Sequence, residues 1–69
     1  MSKYEPLWRY LSKNNKDYYK LTYEEIKNIL GFDIDHSFLT YKKEAINYGY
    51  EVLKISIKEK NIIFNRKEN

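Results

Sequence analysis

Asp33, Asp35 and His36 form the one cluster in this 69-residue chain whose side chains could hold a divalent ion or move a proton. Three oxygen and nitrogen donors within four residues could bind such an ion loosely. The same letters also read as turn chemistry: aspartate bonds back to its own backbone in turns and caps helix starts, which would leave His36 exposed. The turn reading is the stronger one. A metal site needs a fixed ligand geometry, and the chain offers no second histidine and no cysteine. Its hydroxyls have no base beyond His36, so a nucleophilic triad lacks support. Gly31 and Gly49 are its two glycines; both fit as helix stops, so no phosphate-cradling loop is expected. The sequence therefore assigns no catalytic, metal or cofactor residue, and an enzyme is not expected.

A second set of residues points to binding instead. His36, Thr40, Lys43 and Asn47 stand at i, i+4, i+7 and i+11. On an α-helix they share one flank, and their types can read base edges or hold phosphates in a major groove. Further on, Lys54, Lys58, Lys60, Arg66 and Lys67 fall in a stretch that reads as a hairpin, where cations could meet backbone phosphate. Net charge is +3 with pI near 9.1, which permits contact with nucleic acid without demanding it. Glu44, Glu51 and Glu59 dilute the field, and any solvated helix face in a chain rich in Lys and Asn would look similar.

The elements that would position these residues are legible in order. Tyr4, Leu7, Trp8 and Leu11 make one helical stripe. Pro6 fits the first turn and Glu5 favours the helix dipole there. Asn14-Asn15-Lys16-Asp17 reads as a polar loop. Tyr18-Tyr19-Lys20-Leu21 reads equally as a brief strand or a packed loop. The next stretch is the most explicit. Thr22 and Glu25 have the spacing of a capping box, Leu21 and Ile26 that of a hydrophobic staple, and Gly31 can end the helix in a left-handed conformation. Asp35 or Ser37 can cap a third helix, predicted to run to about Tyr48 and stop at Gly49. Its buried row is Phe38, Tyr41, Ala45 and Tyr48, with Leu39 and Ile46 beside it. Lys42 falls inside that apolar arc, so it must snorkel or the helix must be rotated. Tyr50 to Lys58 then alternates, Leu53, Ile55 and Ile57 against Lys54, Ser56 and Lys58, the period of a half-buried strand. Glu59-Lys60-Asn61 turns the chain, and Ile62 to Arg66 returns as the second strand of a hairpin. Lys67-Glu68-Asn69 is expected to fray.

This is an α+β order of three short helices and a C-terminal β-hairpin, with a short third strand at 18–21 on one of the two readings. It resembles a winged helix-turn-helix, with the second and third helices as the turn motif and the hairpin as the wing. The resemblance covers nearly the whole chain as a single small domain, 1–69, and implies DNA contact through the third helix and the wing. A second resemblance lies in the letters. Tyr4-Glu5-Pro6-Leu7, Tyr10-Leu11 and Leu21-Thr22-Tyr23-Glu24-Glu25-Ile26 through Ile29-Leu30-Gly31 resemble an uncharacterised bacterial and phage domain family. Its pattern is YxPLxxYL…LTFxEIExILG…LPxSA…AGW…VxFxR, and Ser37, Ala45, Gly49, Tyr50, Phe64 and Arg66 fall on its later part. The family's Trp-Trp-x-Asn segment is absent here, and nothing about that segment carries over. The likeness implies fold and helix boundaries, not an activity.

The totals set the limits. A chain of this length buries only about 60% of its unfolded surface, so its core is thin. Without cysteine it has no disulfide, and eight Tyr, three Phe and one Trp must supply the packing. No apolar run approaches a membrane span and no signal-peptide core is seen, so a protein of the bacterial cytoplasm, or of a host cytoplasm if phage-encoded, is expected, without membrane contact or small-molecule substrate. Tyr10, Tyr18, Tyr19, Tyr48 and Tyr50 either exceed what such a core can hold, and mark a protein interface, or are core residues with hydroxyls at the rim. Two functions are therefore expected from the sequence. One is duplex DNA binding through His36, Thr40, Lys43, Asn47, Lys54, Lys58, Lys60 and Arg66. The other is a phage- or mobile-element-encoded inhibitor or adaptor that binds a host protein such as a defence nuclease.

Overall fold

The computed structural model describes residues 3–67; the fraying expected at Glu68 and Asn69 lies outside them. The elements run α1 (Glu5–Asn14), β1 (Tyr18–Thr22), α2 (Tyr23–Leu30), α3 (Ser37–Tyr41), a 3-10 helix (Lys42–Tyr48), β2 (Tyr50–Ser56) and β3 (Asn61–Arg66). The three strands form one antiparallel sheet in the order β1-β3-β2. The fold is thus α+β, with a three-stranded antiparallel sheet whose last two strands form a C-terminal hairpin. The stretch at 18–22 is a strand, paired Tyr18 to Asn65 through Thr22 to Asn61.

Local signals fix the helix ends. The Thr22 hydroxyl accepts from the Glu25 amide and the Glu25 carboxylate accepts from the Thr22 amide, both at 3.0 Å. Gly31 closes α2 at φ +87°, its N–H bonded to the Lys27 carbonyl. The staple residues Leu21 and Ile26 are both buried in the core. The stripe of α1 is the centre of that core. Tyr4, Leu7, Trp8 and Leu11 lie with Tyr19, Leu21, Ile26, Phe38, Ala45, Tyr50, Ile62 and Phe64. Phe38 meets the Tyr4 ring edge-on at 5.3 Å, and the Trp8 indole donates to Glu44 of the 3-10 helix at 3.2 Å. α1 therefore packs against both α2 and the 3-10 helix.

Two expectations need correction. The third helix keeps its predicted end, with Gly49 at φ +86°, but changes pitch after Tyr41. At three residues per turn, side chains i and i+3 eclipse. Lys42, Ala45 and Tyr48 then form one row, which explains why Lys42 is half-buried within the apolar arc. Lys43 and Ile46 form the next row, and Asn47 leaves it. Strand β2 also differs. Its register slips between Val52, opposite Phe64, and Lys54, opposite Ile63, so Leu53 is an extra residue in a bulge. The cause is a conflict of parity. Tyr50 and Val52 point inward on even numbers and Ile55 on an odd one, and a bulge is what allows both. Val52 and Ile55 pack against the core while Leu53 is 53% exposed. The strand ends at Ser56, so Ile57 and Lys58 belong to the turn.

Candidate binding face

The loop 31–36 and the start of α3 are set by Asp35. Its carboxylate accepts from the Ser37 amide at 2.9 Å, the Ser37 hydroxyl, the Lys3 ammonium at 3.0 Å and the Tyr4 hydroxyl at 3.2 Å. The Ser37 hydroxyl, followed by Lys3, holds this carboxyl well below the usual carboxylate range. Asp33 lies 3.7 Å from Lys27. His36 occupies the cap position of α3 without a side-chain capping bond and is exposed. Both aspartates are thus engaged in local turn and ion-pair contacts.

Of the eight residues expected to meet nucleic acid, His36, Thr40, Lys43, Asn47, Lys54, Lys58 and Lys60 are exposed. Among the described residues none of the four lysines has a carboxylate within 4.0 Å. The change of helical pitch separates Asn47 from Lys43 and sets Ile46 in its place. Lys54 stands opposite Ile63 in the sheet, away from the core face on which Ile55 meets Ile62. Lys60, at φ +56° in the turn, accepts the Tyr23 amide on its carbonyl at 2.9 Å, which ties the tip of the hairpin to the start of α2. Arg66 is half-buried. Its guanidinium donates to Asp17 at 2.7 Å and to the backbone and side-chain carbonyls of Asn15 at 2.8 and 2.6 Å, and it lies 5.4 Å from the Tyr50 ring centroid.

Between the helical segment 36–48 and strand β2 runs a seam that the charge pattern did not disclose. Its first hollow, about 400 Å³, is lined by Tyr23, Ile34, Phe38 and Leu39 on the helical side and by Ile55 and Ile57 on the hairpin, with Asp35 and His36 at the rim. The second, about 200 Å³, lies farther along between Lys42, Lys43 and Ile46 and the strand residues Glu51 and Val52. Ile57 is 80% exposed, Leu39 54% and Ile46 39%. The sequence carried a partial signal. Leu39 and Ile46 made the apolar arc of the third helix too wide for one buried row, and Ile57 stood next to a charged turn.

The tyrosines behave differently from the interface expectation. Tyr19 and Tyr50 are buried, their hydroxyls donating to the carbonyls of Leu11 (2.7 Å) and Lys16 (2.6 Å), so they fasten the loop between α1 and β1. Tyr10 and Tyr48 pack against the core, and only Tyr18 of the five is largely exposed.

Among the described residues no helix is long and apolar enough to cross a membrane. Comparison with protein-family profiles, with curated proteins and with solved structures gives no match to this chain.

Proposed function

We propose that this chain is a small non-enzymatic binding module that engages a partner protein through the seam between the third helical segment and the hairpin. One observation carries the reading: Leu39 and Ile57 stand exposed on the lining of a hollow that reaches Phe38 of the core, with Ile46 exposed at the neighbouring hollow. Apolar side chains grouped at the surface of a small domain mark protein interaction sites or ligand grooves. A domain built this way acts by occupying a surface, which suits an inhibitor or adaptor carried by a phage or mobile element against a host protein.

The test uses Ile57→Glu, a change at a site too exposed to unfold the domain. Nuclease-treated bacterial lysate is passed over immobilised wild type and variant. A protein retained by wild type and released by Ile57→Glu supports the reading. Retention indifferent to the substitution, or recovery of nucleic acid alone from untreated lysate, rejects it.

DNA binding is the second reading, favoured by the four exposed lysines without carboxylate partners, Lys43, Lys54, Lys58 and Lys60. Affinity for a duplex should then fall steeply with salt, and Lys43→Glu should lower the salt slope by about one. Absence of binding to duplex DNA at low salt by folded protein rejects it.

A further inference from the structure

The seam also specifies the chemistry of what fills it. Asp35, at the rim of the larger hollow, is held by Lys3 at 3.0 Å, and Glu51, at the smaller, lies 3.9 Å from Lys67. The carboxylates of the seam are therefore neutralised from outside it. Lys42 and Lys43 line the smaller hollow, and the exposed Lys58 directly follows Ile57 in the chain. These three cations have no carboxylate within 4.0 Å among the described residues. The larger hollow is thus mostly apolar, and three lysines without carboxylate partners stand at the smaller hollow or next to the larger one.

We infer that the seam takes an acidic segment of a partner protein, which seats two apolar side chains in the two hollows and sets carboxylates against Lys43 and Lys58. This rests on the protein-binding reading and adds the partner's charge to it. Length agrees. From His36 to Ile46 the helical wall spans about 17 Å at the rises of α- and 3-10 helix. That matches about five residues of extended chain or three turns of helix. Complementary charge would speed encounter and reject basic partners, while the apolar anchors supply most of the hold. Duplex DNA is also acidic, but it offers little to cover Leu39 and Ile57, because its affinity resides in phosphates.

A phage-displayed library of random dodecapeptides, selected on the immobilised full chain, tests this. Enriched peptides should carry two apolar residues with aspartate or glutamate beside them. A synthetic copy should bind at least tenfold more weakly to Ile57→Glu and to Leu39→Glu, several-fold more weakly to Lys43→Glu and Lys58→Glu, and more weakly as salt rises. Neutral or basic peptides that lose binding to Ile57→Glu but ignore Lys58→Glu overturn the charge assignment and leave the protein-binding reading standing. Peptides indifferent to both Ile57→Glu and Leu39→Glu, or no enrichment above an unrelated bait, overturn the inference. So does a 20-base-pair duplex whose binding is abolished by Lys43→Glu and Lys58→Glu and untouched by Ile57→Glu.

Discussion

Replacing Arg66 with alanine should damage the fold rather than a binding surface. The guanidinium joins the end of β3 to the loop between α1 and β1 through Asp17 and Asn15, and it packs beside the Tyr50 ring. Hydrogen bonds made by charged groups contribute about 1.5–3 kcal/mol each. Asp17 is 86% exposed, so its ion pair is discounted to about 1 kcal/mol or less. The two bonds to Asn15 share one nitrogen and are counted as one. The loss expected for Arg66→Ala is then about 1.5–4 kcal/mol, a large part of the roughly 3–10 kcal/mol available to a domain of this length. Lysine keeps the charge but not the planar fork, so Arg66→Lys should recover less than half. Urea unfolding followed by the fluorescence of the single tryptophan, Trp8, gives both values. An Arg66→Ala midpoint within about 0.5 kcal/mol of wild type, taken with an unchanged m-value, would refute the reasoning. It would free Arg66 for the nucleic-acid role its charge suggests in the sequence.

Two further outcomes follow from the caps. Thr22→Ala removes the hydroxyl that accepts the Glu25 amide and should cost about 1 kcal/mol in urea unfolding, with faster hydrogen exchange at that amide. Asp35 has its carboxyl pKa depressed in the fold by Ser37 and Lys3, so its contribution is present above the unfolded value of about 4 and lost as pH falls toward the folded one. Asp35→Asn should therefore lower the melting temperature at pH 7, and the gap to wild type should narrow progressively as pH falls below about 4; a gap that is constant with pH would contradict this.

The clearest parts of the sequence were those in which several local signals coincided. Thr22, Glu25, Leu21, Ile26 and Gly31 each specify the same helix, and all take the expected roles. The stop at Gly49 was equally plain. The pitch between Tyr41 and Gly49 was not, because α- and 3-10 geometry share apolar spacings over so few residues, and packing decides between them. Here Ala45 must face the core while Glu44 reaches the Trp8 indole. In β2 the alternation of Leu53, Ile55 and Ile57 looked complete only because Tyr50 and Val52, on the opposite parity, were set aside. The role of Arg66 was illegible for a different reason. Its partners, Asn15 and Asp17, lie about fifty positions away, and only the pairing of β1 with β3 brings them within reach.

These irregularities act in one direction, each leaving an apolar side chain at the surface. A regular third helix would have placed Asn47 on its open flank; the tighter pitch places Ile46 there. A regular strand would have turned Leu53 and Ile57 inward; the bulge and the early turn leave both at the surface. Each departure has a cost, since 3-10 hydrogen bonds are poorer than α-helical ones and a bulge interrupts the ladder. Packing offsets it: the bulge sets both Val52 and Ile55 against the core, and the tighter pitch goes with a buried Ala45. The flank on which a regular helix would set Asn47 thus carries Ile46, and on our proposal that exposed apolar side chain serves a protein ligand.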